Sequence, residues 1–400
     1  ACNTASTTPM PEADVGAAVA GSPAVACDTL ASLSLPNVTI TASEAVAAGA
    51  FAPPMPAGRS LSDGQARQYG ALPAFCRVAA TLTPSTDSDI KMEVWMPAEG
   101  WNGKLQSVGN GAFTGSLRQG GGRSMASGLE RGYATASTDT GHVGGSAEFG
   151  YEHPEKTVDF GWRSVHEMTV TAKDVIAAFY GDGPEHAYWF GCSAGGRQAM
   201  KEAQRFPEDY DGIIAGAPGN DWMGRAAGSL RVAKHLEQHE DARLPEAKVQ
   251  LLHEAVLAAC DAADGVEDRV VGDPERCDFD PGVLECSGGA GDDCLTAAQV
   301  ATAEMMYSSP ENPKTGRAIT GVLPGSESNW IDMGWTRSAR STGIDQYRYL
   351  IHGDLDWSID QFDFDTDIVA AEETDNDTLN ALDPNLRPFL DRGGKLLAYH

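Results

Sequence analysis

One short segment, Gly191-Cys192-Ser193-Ala194-Gly195, restricts the fold of this chain more than any other. The apolar run Ala187–Gly191 predicts a buried strand, and the residues after Ser193 predict a helix that ends near Arg205. A serine between small residues at such a junction is typical of a tight strand-to-helix turn. The chain therefore has to place a strand, Ser193 and a helix N-terminus in direct succession.

Strands and helices alternate on both sides of this segment. The pattern predicts strands at Ile90–Met96, Lys104–Val108, Tyr133–Ser137 and Leu396–Tyr399, and one helix at Val165–Tyr180. Such alternation favours an α/β fold with a mainly parallel sheet that is covered on both faces. Between about Asn220 and Asp375 the pattern loosens and turn residues multiply. We therefore predict a main domain of residues 26–219 and 376–400, an inserted domain of residues 220–375, and a disordered tail or tether of residues 1–25.

The charge of the chain excludes several classes of partner. Asp and Glu number 57 against 29 Lys and Arg, which gives a formal charge of −28. A polyanion repels nucleic acids and anionic membranes. No run of about 18 apolar residues is present, so the sequence predicts no membrane-spanning helix.

The N-terminus and the cysteines bear on localisation. The chain has no initiator Met and no signal sequence, which is typical of a processed or cut chain. Ala1-Cys2, with Ala, Gly, Pro and Thr following to about Val25, resembles the modified cysteine and tether of a lipoprotein. A plain tail with a stray thiol is equally compatible. Eight cysteines favour an oxidising compartment, hence a secreted, periplasmic or surface protein. Disulfides are favoured over zinc at Cys260, Cys277, Cys286 and Cys294, because these include no C-x-x-C pair and no histidine.

The serine turn predicts a specific chemistry. A turn of this kind exposes the Ser193 hydroxyl at a helix N-terminus, where free N–H groups favour developing negative charge. The amide of Ala194 would be one donor to an oxyanion. The Gly-rich loop after the Lys104–Val108 strand would supply the second, from Gly111. The pattern indicates a serine hydrolase, with an esterase favoured and a peptidase as an alternative.

An acidic segment in the insertion is a candidate metal site. From Cys260 to Cys294 there are eleven acidic residues and two basic ones. The carboxylates of Asp261, Asp264 and Asp268 and the carbonyls of Val266 and Val270 would form an oxygen shell that calcium accepts. The spacing is not that of an EF-hand. The alternative is a solvated acidic loop closed by disulfides.

Together these residues resemble the tannase and feruloyl esterase family, which also contains mono(2-hydroxyethyl) terephthalate hydrolases. The resemblance covers most of the chain; its motifs are Leu72–Val78, Gly109–Gly111, Tyr133–His142, Asp159–Glu167, Gly191–Arg197, Phe206–Pro218, the Cys260 loop and Arg392–Leu396. It implies an α/β-hydrolase fold with a large inserted lid that shapes the substrate pocket and holds a structural calcium. The family's calcium loop corresponds to Asp261, Asp264, Val266, Asp268 and Val270.

The resemblance also implies disulfides and a catalytic triad. The expected bridges are Cys27–Cys76, Cys260–Cys277 and Cys286–Cys294. In the family, the cysteine before the nucleophile pairs with a cysteine after the catalytic histidine, so Cys192 is expected to pair with a cysteine missing from this chain. The family's catalytic Asp and His also follow the segment in which His400 lies. We therefore interpret the chain as C-terminally truncated and expect the 400-residue fragment to be inactive. His142, His166 and His400 are interpreted as non-catalytic, the first two as structural.

The implied reaction is two-step acyl transfer from a small aromatic ester, with plant polymers as a candidate source of that ester. A feruloyl or other hydroxycinnamoyl ester is the preferred substrate, and a tannase or a mono(2-hydroxyethyl) terephthalate hydrolase-like esterase is the alternative. A calcium-stabilised binding protein on a hydrolase scaffold is the alternative from another class. Five aromatic residues of the insertion could line a pocket, but most are interpreted as core: Trp330, Trp335, Tyr347, Tyr349 and Trp357.

Overall fold

The computed structural model describes residues 21–53, 60–122, 124–288, 291–331 and 341–400. The chain divides into two compact units. The sheet unit comprises Ala1–Asn220 and Asp377–His400, and the inserted unit comprises Asp221–Asn376. Cys2 and Trp335 lie outside the described residues, so the predicted lipid anchor stays a prediction.

An eight-stranded sheet forms the centre of the sheet unit. Its strands are β1 (Val38–Val46), β2 (Phe75–Leu82), β3 (Ile90–Pro97), β4 (Lys104–Val108), β5 (Ala134–Thr138), β6 (His186–Cys192), β7 (Gly212–Gly216) and β8 (Lys395–Tyr399). They lie in the order β1-β2-β3-β5-β4-β6-β7-β8. The pairs from β5 to β8 are parallel, whereas β1, β2 and β3 pair antiparallel. The parallel half places the carboxyl ends of β4, β6 and β7 at one edge.

The helices of the sheet unit cover this sheet. They are α1 (Asp63–Gly70), α2 (Met125–Leu129), α3 (Pro154–Val158), a π-helical turn (Asp159–Arg163), α4 (Ser164–Tyr180), α5 (Ala194–Arg205) and α11 (Arg387–Asp391), with 3-10 turns at Cys27–Ser32 and Ala147–Gly150. The predicted apolar face of α4 is buried in the main core, at Val165, Met168, Ala172, Val175, Ile176 and Phe179. Burial of each large apolar side chain stabilises the fold by about 1.5–3 kcal/mol.

The structure corrects the predicted N-terminal tail. We predicted disorder through residue 25, but Gly21 pairs with Trp101 and the Ala24 N–H donates to the Phe179 carbonyl at 2.8 Å. Residues 21–25 therefore belong to the sheet unit. The low-complexity composition did not indicate these backbone hydrogen bonds, because they depend on partners far along the chain.

The chain leaves and re-enters the sheet unit at neighbouring points. The Ala381 N–H donates to the Asn220 carbonyl at 2.9 Å. The buried Lys201 of α5 donates to the Asp377 carbonyl at 2.9 Å and to its carboxylate at 3.0 Å. Both junctions of the insertion are therefore fixed to the same part of the sheet unit.

The inserted unit is more regular than its sequence pattern predicts. Its helices are α6 (Trp222–Gln238), α7 (Glu246–Cys260), α8 (Ala297–Tyr307), α9 (Ser341–Asp345), a π-helical turn (Gln346–Ile351) and α10 (Phe364–Asp375). Short 3-10 turns lie at Glu240–Ala242, Asp261–Asp264, Pro274–Arg276, Pro281–Leu284, Glu327–Asn329 and Ile359–Gln361. Trp330, Tyr347 and Trp357 are buried, as predicted for core residues. No helix in the described part of the chain has the length and apolarity needed to cross a membrane.

Three disulfides have the pairing that the resemblance implies: Cys27–Cys76, Cys260–Cys277 and Cys286–Cys294. Cys192 is disulfide-bonded as well. This corrects the expectation that Cys192 pairs with a cysteine missing from this chain. The resemblance alone did not indicate this bond, because it implies only the pairing with a later cysteine.

Candidate active site

Ser193 lies between β6 and α5 in a strained backbone conformation. Its φ of 60° and ψ of −117° fall in a region that non-glycine residues rarely adopt. The Ser193 N–H donates to the Gly216 carbonyl of β7 at 2.9 Å, and its carbonyl accepts from the Arg197 N–H at 3.0 Å. Contacts of this kind hold strain at functional sites. The turn has the geometry of a nucleophile elbow.

The glycines around Ser193 are required by close backbone approaches. A Cβ atom on Gly191 would lie 2.2 Å from the Gly195 carbonyl oxygen, and one on Gly196 would lie 2.4 Å from the Gly216 carbonyl oxygen. Neither distance is possible without movement of the backbone. The glycines of the G-x-S-x-G pattern therefore allow the main chain at the end of β6 to contact the main chain at the start of α5 directly.

The Gly-rich segment 109–116, called the β4 loop here, lies directly against the start of α5. The Gly195 N–H donates to the Asn110 carbonyl at 2.9 Å. Ala194 is the first residue of α5, so its N–H has no acceptor within the helix. A Cβ atom on Gly111 would meet no atom within 4 Å, so the backbone there borders open space. The structure thus brings the loop of Gly111 to the turn that carries Ser193 and Ala194.

The histidines of the shared motifs have structural contacts. His142 is buried, its Nε2 lies 2.7 Å from the Phe113 carbonyl oxygen, and burial lowers the pKa of its ring. His166 Nδ1 lies 2.7 Å from Asp209 Oδ2, and its ring stacks on Phe206. Both agree with the structural role predicted for them. Within the described residues, the Ser193 hydroxyl makes no hydrogen bond.

A buried acid on α5 was missed by sequence reasoning. Glu202 is fully buried, and burial raises the pKa of its carboxyl well above the ordinary value; the adjacent Asp209 raises it further. Neither Glu202 oxygen accepts a hydrogen bond from a donor group. The neutral acid is therefore the form that this site favours. The sequence did not predict this burial, because the segment after Ser193 is rich in polar residues that are typical of an exposed helix face.

Asp139 lies in the turn after β5, and burial raises its pKa to about 7 even though its carboxylate accepts the N–H groups of Lys91 and Gly141. A raised pKa means that the folded protein binds the proton more tightly than the unfolded chain. We therefore expect this group to make the free energy of unfolding decrease as pH rises from about 4 to about 7, by at most ~1.4 kcal/mol per pH unit.

Asp139→Asn keeps an oxygen that accepts both N–H groups but does not titrate. The variant should gain stability relative to the wild type as pH rises through this range, measured by urea unfolding at pH 4, 5.5, 7 and 8. The raised pKa of Glu202 makes stability depend on pH in the same direction. The free energy of unfolding of Asp139→Asn should therefore still decrease as pH rises, but less steeply than that of the wild type. Parallel curves for the two proteins would show that Asp139 does not titrate as described.

The acidic segment forms an exposed loop that begins at the end of α7. Asp261 accepts the N–H groups of residues 268 and 269, Asp264 accepts those of 266 and 272, and Asp268 accepts that of 270. The Cys260–Cys277 disulfide closes the loop. In the described ranges, no three Asp, Glu, His or Cys side chains are grouped as a metal site requires. The oxygen donors themselves match the chemistry of a hard cation.

Comparison with known proteins agrees with this geometry. Residues 76–400 match the profile of the family described as tannase and feruloyl esterase. An uncharacterized esterase of Xanthomonas campestris pv. campestris is 36% identical over 94% of this chain and 67% of its own length. Feruloyl esterase B of Aspergillus niger is 32% identical over 82% of this chain and 62% of its own length. The chain thus spans about two thirds of the length of these relatives.

Solved structures show the same fold. The crystal structure of feruloyl esterase B from Aspergillus oryzae superposes with a TM-score of 0.82 at 29% identity, covering 94% of this chain and 74% of that one. Tannin acyl hydrolase from Aspergillus niger matches with a TM-score of 0.61 at 22% identity, covering 92% and 71% of the two chains. The predicted α/β-hydrolase fold is confirmed. The chain belongs to the tannase and feruloyl esterase family.

Proposed function

We propose that the protein is a serine esterase that hydrolyses aromatic carboxylic esters, with Ser193 as its nucleophile. The observation that carries the proposal is the strained Ser193 turn at the carboxyl end of β6, with φ of 60° and a helix N-terminus directly after it. This geometry exposes the hydroxyl where the amides of α5 favour an anion. Family membership supports the same reaction class.

In the proposed mechanism, a histidine deprotonates Ser193 as the hydroxyl attacks the ester carbonyl. An aspartate orients that histidine, and both are proposed to follow residue 400, as the family resemblance implies. The N–H groups of Ala194 and Gly111 hold the oxyanion of the tetrahedral intermediate. The alcohol leaves with a proton from the histidine, and water, deprotonated by the same histidine, then releases the acid.

A hydroxycinnamoyl ester is the proposed substrate. Support comes from the relative named feruloyl esterase B, with which the chain shares 32% identity. The test is turnover by the complete protein of methyl ferulate, methyl gallate, mono(2-hydroxyethyl) terephthalate and a feruloyl amide of matched size. Highest kcat/KM on methyl ferulate supports the proposal, and a preference for gallate or terephthalate reassigns the substrate. Cleavage of the amide alone indicates a peptidase, and turnover of none contradicts the esterase.

We also propose that the protein functions outside the cytoplasm, secreted or at the cell surface. The three described disulfides support an oxidising compartment, since such bonds do not persist where thiols are kept reduced.

Calcium is the proposed structural ion of the inserted unit. Asp261, Asp264 and Asp268 would bind it through their carboxylates, and Val266 and Val270 through their carbonyls. Support comes from the confinement of these oxygen donors to one disulfide-closed loop and from the resemblance of that loop to the family's calcium site. When bound, the ion would offset the mutual repulsion of the three carboxylates.

Removal of calcium should therefore destabilise the protein. We expect EDTA to lower the thermal midpoint by about 3–6 °C, because a ligand that binds only the folded state stabilises it by ~3 kcal/mol at 100 times its Kd. Differential scanning fluorimetry with EDTA and with added CaCl2 measures the shift. Asp264→Asn should abolish the difference between the two conditions, and Asp292→Asn, in the same acidic segment, should keep it. Equal midpoints for the wild type in both conditions would contradict the site.

A further inference from the structure

The β4 loop has to be held in one conformation if it is to supply an oxyanion donor. A donor contributes fully to a transition state only when its position is fixed before the reaction. Gly111 itself packs against nothing on the side where a Cβ would lie. Its carbonyl accepts the Thr114 N–H at 2.9 Å, so its backbone is held through other residues of the β4 loop.

The side chain of Asn110 closes the loop on itself. It is 2% exposed, and its Nδ2 lies 2.9 Å from the Ser116 carbonyl oxygen, 3.1 Å from that of Thr138 and 3.3 Å from that of Thr114. Ser116 and Thr114 lie in the loop, and Thr138 is the last residue of β5. One amide group thus joins the start of the loop, its later residues and the neighbouring strand.

The main chain of Asn110 joins the same loop to α5. Its N–H donates to Gln198 Oε1 at 3.1 Å, and its carbonyl accepts the Gly195 N–H at 2.9 Å. Gly195 and Gln198 lie on the helix that begins directly after Ser193. Movement of Asn110 would therefore disturb both the loop and the helix that orient the two proposed oxyanion donors.

Neither aspartate nor serine, the side chains nearest to asparagine in shape or size, reproduces this arrangement. The three carbonyl oxygens require a donor, so an aspartate would place a negative charge against them. A serine is too short and has one hydroxyl hydrogen where the amide has two. This position therefore needs a side-chain donor with more than one hydrogen, a requirement that packing alone would not impose.

We propose that Asn110 is a positioning residue for acyl transfer: its side chain holds the Gly111 N–H so that it faces the same oxyanion as the Ala194 N–H. The inference rests on the proposed esterase function and deepens it. Asn110 donates no hydrogen bond to the substrate in this scheme. Its effect is on the transition state, because the oxyanion exists only there and in the tetrahedral intermediate that resembles it.

The test compares Asn110→Ala with Asn102→Ala in the complete enzyme. Asn102 is the matched control, since it precedes the same strand, accepts the Lys104 N–H and donates to the Arg131 carbonyl, at the opposite end of β4. With methyl ferulate, we expect Asn110→Ala to lower kcat about 10–100-fold while KM changes less than about 3-fold. The affinity for a phenylboronic acid, a tetrahedral analogue, should fall with kcat. Asn102→Ala should keep kcat and boronate affinity.

Folding is controlled by normalising rates to the sites that react with a fluorophosphonate after prolonged incubation. If Asn110→Ala does not fold, Gln198→Ala, which removes the acceptor of the Asn110 N–H and keeps the Asn110 side chain, should lower kcat about 3–10-fold. A normalised kcat of Asn110→Ala equal to that of the wild type, or a change in KM alone, would overturn the positioning role. The proposed esterase function would still stand in that case, provided that the wild type hydrolyses the ester. A wild type that hydrolyses no ester overturns the function and the inference together.

Discussion

Ser193→Ala is expected to reduce ester hydrolysis by the complete protein at least about 10⁴-fold, because removal of the nucleophile leaves only binding and oxyanion contacts. Alanine and serine tolerate the φ of 60° equally, so the thermal midpoint should stay within about 1 °C of wild type. Initial rates on methyl ferulate and a melting curve on the same preparation measure both.

Two further measurements make this result specific. A fluorophosphonate probe should label the wild type at one peptide, the one that contains Ser193, and should leave Ser193→Ala unlabelled. Ser32→Ala, at an exposed serine in a 3-10 turn, is the control and should keep full activity and labelling. Activity in Ser193→Ala above about one hundredth of wild type would assign the nucleophile to another residue.

Gly191→Ala is expected to destabilise the protein by at least about 3 kcal/mol, and to abolish activity in whatever fraction folds. The added methyl would lie 2.2 Å from the Gly195 carbonyl oxygen and 2.7 Å from Trp189 Nε1, two atoms that are themselves hydrogen-bonded at 3.0 Å. The methyl would therefore break this bond and displace the start of α5. Urea unfolding midpoints measure the loss.

Gly183→Ala is the matched control for this clash. Gly183 lies just before β6, and a Cβ there would meet no atom within 4 Å. Its substitution should change the free energy of unfolding by less than about 0.5 kcal/mol. A Gly191→Ala protein as stable as this control would mean that the turn is looser than the structure describes.

Local signals predicted four of the five strands that pair in parallel, β4, β5, β6 and β8, and the elements around the site. β4 begins and ends at the predicted residues, and α5 ends at Arg205 as predicted. Buried parallel strands are continuous apolar runs, and the small residues around Ser193 leave few alternatives to a tight turn. The loop of Gly111 was predicted for the same reason, since a Gly-rich segment follows a clear strand.

The rest depends on contacts that no local pattern carries. β1, β2 and β7 were missed. β1 alternates between half-buried and exposed residues with several polar side chains, which weakens the apolar signal. β7 is only five residues long and begins and ends with glycine. Glu202 resembles a solvated helix residue in the sequence, yet the fold buries it beside Asp209. The three carbonyl oxygens around Asn110 come from residues 114, 116 and 138, which only the folded sheet brings together.

Because Asn220 and Ala381 are adjacent, the inserted unit between them can be replaced by another segment without a change in the path of the sheet unit. An insertion whose flanking residues in the parent unit are joined by a backbone hydrogen bond can lengthen, shrink or be replaced while the parent sheet keeps its register. Exchange of residues 221–376 at these two junctions would leave the Ser193 turn unchanged, because that turn belongs to the sheet unit. Chimaeras that swap residues 221–376 between relatives would test this exchange.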